Sequence, residues 1–273
     1  MSSFSTPAIM LRRTDFGDYD LIITFFTLNK GKIPVIAKSA KKSAKRFSGI
    51  LELFSVLDIV CSTSRRPGLS ILQEAALKHP FVGIRADVIK TAYASYWAEL
   101  INEWMEEGGR QIQLYHLFQH VLCGLDLGQI SDRALSIQFQ IRFMAMSGLC
   151  PDLSLCSICK IKLEQMKKNE VVFDLKKGGL VCERCVTGSS RQISLSKGTI
   201  KQLLWIKSGD LDKVSRIRFS SQALKEGLEF MEMFVPYHLG KEPRSLAFLR
   251  QIRQGIGNRE KRIEKREKGV CRV

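Results

Sequence analysis

Two cysteine pairs, Cys156-x-x-Cys159 and Cys182-x-x-Cys185, constrain this chain more than any other feature. Each CxxC lets two sulfurs approach one ion at about 2.3 Å, and two such loops complete the tetrahedron that structural Zn²⁺ prefers. The 22 residues between the pairs slightly exceed the usual spacing. Within them, Val171–Leu175 and Gly179–Val181 flank Lys176-Lys177-Gly178, which predicts a hairpin that returns the second loop beside the first. Four thiolates on Zn²⁺ leave about two negative charges, and Lys160, Lys162, Lys176, Lys177 and Arg184 lie nearby in sequence to offset them. With sulfur in all four places no position is open for water, so the expected ion is structural rather than catalytic. A redox CxxC would accompany a βαβ pattern, and none is visible. Cys61, Cys123, Cys150 and Cys271 lack such partners and read as small buried or incidental thiols.

Metal reading of the cysteines presupposes a reducing compartment. The first ten residues lack the basic start and apolar stretch of a signal peptide, and no run of about 18 apolar residues occurs. The expectation is a soluble, cytoplasmic, nucleoid-associated protein without membrane contact. Charge adds a partner class: 43 Lys and Arg against 27 Asp and Glu leave a net +16. Such an excess attracts a polyanion, and nucleic acid is favoured over an acidic membrane surface. At 273 residues the chain exceeds the usual single core, so two domains, or one with a metal-stabilised insertion, are expected.

From Thr6 to Leu77 short apolar segments alternate with turn signals. Pro7–Arg13, Tyr19–Leu28, Lys32–Ser39, Leu51–Cys61 and Leu69–Leu77 read as strands, punctuated by Asp15–Asp18, Asn29-Lys30-Gly31 and Arg66-Pro67-Gly68. Five short strands suggest a small closed barrel, with the OB-fold as the leading candidate among such barrels. After His79-Pro80 the apolar period moves toward 3.6. Val88–Glu107, Tyr115–Leu127, Ala134–Met146, Lys197–Ser208 and Ser221–Val235 are predicted helices. Asn258–Val273, rich in Lys, Arg and Glu, reads as an exposed helix or loose tail.

The link after the third strand holds Lys38, Lys41, Lys42, Lys45 and Arg46 without an acid, an electrostatic funnel for a phosphate backbone. Arg12, Arg13, Lys30 and Lys32 would extend it across the barrel. Phe47, Phe16 and Tyr19 are the aromatics placed to stack on bases, whereas Phe25, Phe26 and Phe54 are expected to fill the barrel. The bland alternative for the lysines is a solvated loop.

Enzyme signatures are missing. Neither GxxxxGK[ST] nor a GxGxxG after a strand is present. His116-Leu-Phe-Gln-His120 has the spacing of a zinc-protease helix, but Leu117 stands where the water-activating glutamate would be, so both read as helix-surface histidines. Asp210-Leu-Asp212 is too isolated for a two-metal site. No catalytic residue is assigned.

The order of these features resembles the bacterial RecO family over nearly the whole chain. Asp15–Asp20 leading into Leu21–Leu28, then Gly31–Lys38, Phe47–Phe54 and Pro80–Arg85, are similar to that family's blocks. So are Gly148–Cys156 with the second knuckle, and Tyr237–Ser245. The resemblance implies an α+β multidomain chain: an OB-fold barrel (1–79), a helical domain in two parts (80–152 and 193–257), an inserted Cys₄ zinc ribbon (153–192) and a charged tail (258–273). It further implies binding of single- and double-stranded DNA, annealing of complementary strands, and loading of RecA onto strands coated by single-strand-binding protein, in concert with RecR. The acidic C-terminal tail of single-strand-binding protein is expected on the helical domain, with Arg133 and Arg142 as contacts, although this stretch departs from the family's Arg-rich version. The competing readings are a zinc-ribbon RNA-binding or transcription-associated protein, which charge and knuckles equally permit, and a DNA-modifying enzyme, for which no catalytic group is visible.

Overall fold

A computed structural model describes residues 2–42, 46–47, 49–63, 69–188, 192–211 and 219–255. Strands β1 (Ser2–Phe16), β2 (Asp20–Thr27), β3 (Gly31–Ala37), β4 (Val56–Thr63) and β5 (Ser70–His79) close into a barrel in the order β1-β2-β3-β5-β4. β1 serves two partners. Its first half pairs with β4 from Ser2↔Thr63 to Ile9↔Val56, and its second half pairs with β2 from Ala8↔Thr27 to Phe16↔Asp20. A register shift between Met10 and Arg12 inserts an extra residue there. Ala8 and Met10 point into the barrel, while Ile9 and Leu11 face the helices. Such a bulge re-aims the side chains beyond it, and Arg12 and Arg13 are both exposed.

β2 alternates in the same manner, and this corrects one expectation. Phe25 fills the barrel, but Phe26 lies on the opposite face against Tyr115, with ring centroids 6.0 Å apart. Phe54 also joins the helical core, because its backbone turns to φ 70° in the link before β4. That turn delays the strand expected at Leu51 until Val56. Gly31 opens β3 at φ 62°, and a Cβ there would lie 2.0 Å from the Gly109 carbonyl oxygen. Only glycine allows this hairpin to approach the loop after the first long helix.

The helical half comprises α1 (Val82–Arg85), α2 (Val88–Trp104), α3 (Ile112–Leu127), α4 (Asp132–Met146), α5 (Lys197–Ser208), α6 (Ser221–Leu239) and a final helix over residues 244–255. Asp87 caps α2 by accepting from the amides of Ile89 (2.7 Å) and Lys90 (3.1 Å). α6 continues past its expected end at Val235, through Pro236. Proline cannot donate to the carbonyl four residues back; here that carbonyl, of Glu232, accepts from Arg250 Nη2 at 2.9 Å instead. The final helix thereby repairs the ladder that Pro236 interrupts.

Between α4 and α5 lies a four-stranded sheet in the order β6-β8-β7-β9, from β6 (Asp152–Cys156), β7 (Glu170–Asp174), β8 (Gly179–Val181) and β9 (Gln192–Ser196). It extends four residues beyond the expected 153–192 segment and runs directly into α5. The tail expected at Asn258–Val273 lies outside the described residues. No helix among the described residues is long and apolar enough to cross a membrane.

Candidate functional site

The knuckles meet as their spacing predicts. β6 ends on Cys156, β8 leads into Cys182, and β7–β8 form the expected hairpin, which brings the two loops together. The four sulfurs of Cys156, Cys159, Cys182 and Cys185 all lie within 4.8 Å of one another, an arrangement that could hold a metal ion. Cys159 Sγ and Cys182 Sγ are 3.5 Å apart, against an edge of roughly 3.8 Å for a tetrahedron of sulfurs about 2.3 Å from its centre. Burial opposes ionisation of Cys156, but the amides of Cys159, Cys182 and Ile158 overcome it and draw the thiol down to about 6. Crowding by neighbouring thiols, Cys182 foremost, pushes Cys185 up to about 12. One cation among the sulfurs would favour the thiolate form and relieve this crowding.

The residues expected to meet DNA divide among several places. Arg13, Lys41 and Lys42 line one cavity of about 570 Å³, beneath the turn that joins β1 to β2. Two carboxylates share it: Arg13 pairs with Glu52 at 3.4 Å and Lys41 with Asp15 at 3.0 Å. Lys42 Nζ sits 3.4 Å from the Tyr19 ring centroid. The Lys41 amide donates to the Tyr19 carbonyl at 3.0 Å, and the Ser39 amide to Asp20 Oδ1 at 2.7 Å, so turn and link are tied together. Phe16 and Tyr19 are 51% and 45% exposed at this rim, and Lys38 is exposed beside them.

Other members of the set have different work. Phe47, expected to stack on bases, is 3% exposed within the barrel core, where a base cannot reach it. Arg46 covers its ring at 4.7 Å and donates to the carbonyls of Leu72 (3.2 Å) and Gln73 (3.1 Å). Lys32 Nζ donates to the Asn102 carbonyl at 2.6 Å, which ties the barrel to the end of α2. Arg12 opens onto a second cavity, shared with Glu99, Glu103, Lys241 and Arg244. Lys45 lies outside the described residues.

Arg142 is likewise corrected. It is 9% exposed, and its guanidinium donates to the carbonyls of Ile206 (2.9 Å) and Gly209, which fastens α4 to the end of α5. A side chain so engaged is not a partner contact. Arg133 is exposed and stands with Lys90, Tyr93 and Arg253 around a cavity of about 600 Å³ at the start of α4. Tyr93 is 1% exposed, and the Arg253 guanidinium lies 5.9 Å from its ring centroid. No linear motif joins Lys90, Arg133 and Arg253, so sequence reasoning named Arg133 but missed Lys90 and Arg253.

The family model described as Recombination protein O N terminal matches residues 1–81, and that described as Recombination protein O C terminal matches residues 85–247. The chain belongs to the RecO family. A DNA repair protein RecO of Desulfosudis oleivorans is 45% identical over 258 residues, covering 93% of this chain and 99% of that protein. One from Desulfatibacillum aliphaticivorans is 42% identical over 255 residues, covering 93% and 99%. Another, from Syntrophus aciditrophicus, is 33% identical over 255 residues, covering 93% and 97%. Membership of the RecO family assigns the chain to DNA repair and recombination.

Proposed function

We propose that this RecO-family chain is a recombination mediator that holds DNA without covalent chemistry. The observation that carries this reading is the convergence of Arg13, Lys41 and Lys42 with the exposed rings of Phe16 and Tyr19 at one barrel rim. The strand order supports an OB-fold reading, in which loops at such a rim grip nucleic acid. Phosphates would displace Asp15 from Lys41 and Glu52 from Arg13. Exposed pairs of this kind are worth at most about 1 kcal/mol, so exchange is cheap. The rings then offer stacking surfaces that tolerate any base. The anchors are accordingly Arg13, Lys38, Lys41 and Lys42, with Lys45 as a fifth from the same link.

The four knuckle sulfurs would hold one Zn²⁺, whose chemistry with four thiolates is structural. The acidic C-terminal tail of single-strand-binding protein would meet the exposed Arg133, with Lys90 on the same cavity as a second cation. With one surface on DNA and another on a coated strand, the chain would anneal complementary strands and assist RecA loading with RecR by proximity alone.

The test is annealing of complementary oligonucleotides without ATP, and affinity for DNA and RNA strands across salt concentrations. Lys41→Glu with Lys42→Glu should reduce DNA affinity at least tenfold at low salt and flatten the salt slope by about 0.7 per lost phosphate contact on a single strand. Unchanged slope and affinity would remove the rim from the account. Preference for RNA over DNA would favour the RNA-binding alternative.

A further inference from the structure

Two successive arginines of β1 open onto different cavities. Beyond the register shift between Met10 and Arg12, Arg13 lines the rim cavity beneath the β1–β2 turn. Arg12 instead lines a cleft of about 560 Å³ between the barrel and the helical half. Leu11, Leu53 and Ala98 give this cleft an apolar floor, and the segment after α6 forms its far wall with Lys241, Glu242 and Arg244. Barrel and helices are tied together beside it. Lys32 Nζ donates to the Asn102 carbonyl at 2.6 Å, and the Gly108 amide donates to the Lys32 carbonyl at 3.1 Å, so the two walls keep their spacing.

Three carboxylates border the cleft, and each is already engaged. Glu99 accepts from the amides of Arg244 (3.1 Å) and Ser245 (2.8 Å), Glu103 pairs with Lys241, and Glu242 pairs with Arg250. The hydrogen bond from Lys241, aided at longer range by Lys32 and Arg12, holds Glu103 below the ordinary carboxylate range. The guanidiniums of Arg12 and Arg244, by contrast, are exposed and make no hydrogen bond or ion pair among the described residues. Arg12, Lys32, Lys241, Arg244 and Arg250 thus outnumber Glu99, Glu103 and Glu242 around the cleft, which leaves its field positive.

We infer that this cleft is a single-strand channel continuous with the rim, in which Arg12 and Arg244 each take one phosphate of a DNA strand and Leu53 underlies a sugar or base. The channel rests on the rim reading for the strand's entry and adds its course and its strandedness. An arginine fork suits a phosphate oxygen pair, and neither guanidinium must leave a partner to bind one. Leu53 is 37% exposed and offers apolar surface between the two cations. Duplex DNA is stiff over about 150 base pairs and cannot fold into a concavity of this size, whereas a single strand bends at each nucleotide. The rim is open and accepts both forms; the cleft selects the single strand.

Anisotropy of a labelled oligonucleotide with the full-length chain, as single strand and as duplex of the same sequence, tests this across salt concentrations. Arg12→Ala with Arg244→Ala should weaken single-strand binding about tenfold at low salt and flatten the salt slope by about 1.4, while duplex affinity stays within about twofold. Arg12→Lys with Arg244→Lys keeps both charges and should retain the slope. An unchanged melting temperature checks the fold; should the double variant melt early, each single alanine substitution should still flatten the slope by about 0.7. Lys41→Glu with Lys42→Glu at the rim should weaken both forms of DNA. Loss in the rim variant alone would overturn the channel and leave the rim standing, whereas loss in the arginine variant alone would keep the channel and remove the rim. Equal loss on single strand and duplex in the arginine variant would also overturn the channel.

Discussion

The barrel and the cysteine-bearing sheet are both small β structures, but only the barrel encloses a core of its own. Met10, Ile23, Phe25, Val35, Ile59 and Leu72 meet inside it, together with Phe47 and Leu51 from the link between β3 and β4. The four-stranded sheet packs Leu153, Cys156, Phe173, Leu180 and Cys182 into the same core as the helices. Phe173 lies 4.8 Å from Phe230 and 5.7 Å from Phe234 of α6. A sheet this small cannot bury enough apolar surface to stand alone. It borrows a core from α6, so it is a structural member of the helical half.

The largest expected effect would break that contrast if it failed. Cys156→Ser with Cys182→Ser removes the two buried knuckle sulfurs and should lower the melting temperature of the helical half by more than about 10 °C, given the size of structural metal contributions. All three tryptophans, Trp97, Trp104 and Trp205, lie in that half, so their fluorescence reads it selectively. Low-salt DNA binding at the barrel rim should survive better than the tryptophan transition. A transition that does not move would mean that the Phe173 contacts hold the sheet without metal.

How far sequence foresaw this contrast depends on range. The knuckles and the barrel were legible because a CxxC pair and a two-residue alternation are local patterns. Helix α5 was legible to the residue, since Ser196 caps it and Gly209 ends it. Phe47 and Arg142 were misjudged because their surroundings come from far along the chain. Phe47 looked like the end of a polar link, yet it caps the barrel interior; Arg142 looked like a helix-surface cation, yet its carbonyl partners lie 64 and 67 residues away. β1 was drawn too short because Ser2–Thr6 shows no alternation, and only pairing with β4 makes it a strand.

A second test sharpens the comparison through buried charge. Glu232 is 6% exposed and accepts from Arg253 Nη2 at 2.7 and 2.8 Å and from Arg250 Nε at 3.2 Å. Glu232→Gln leaves Arg253 without its anion, while Arg250 keeps Glu242, and should cost about 3 kcal/mol in chemical denaturation. Asp15→Asn breaks the exposed pair with Lys41 at the barrel rim and should cost no more than about 1 kcal/mol. Equal losses would mean that the two networks are solvated alike.

The smallest expected effect is a difference in acid response where the sheet enters α5. Burial would raise the Glu226 carboxyl. Against it, Thr199 Oγ1 donates at 2.6 Å, the Ser196 amide at 2.9 Å and Gln222 Nε2 at 2.7 Å, and together they hold the group below the ordinary carboxylate range. A depressed folded value means that the stabilisation is present above the unfolded value, near 4.3. It is lost as pH falls through the lower folded one. Glu226→Gln should therefore cost about 1 kcal/mol at neutral pH, and the gap to the unaltered chain should close as pH drops from about 5 toward 3. The junction lies outside the barrel, so rim binding of DNA should be indifferent to this substitution. A gap that stays constant across that range would show that the hydrogen bonds, not the charge, hold the junction.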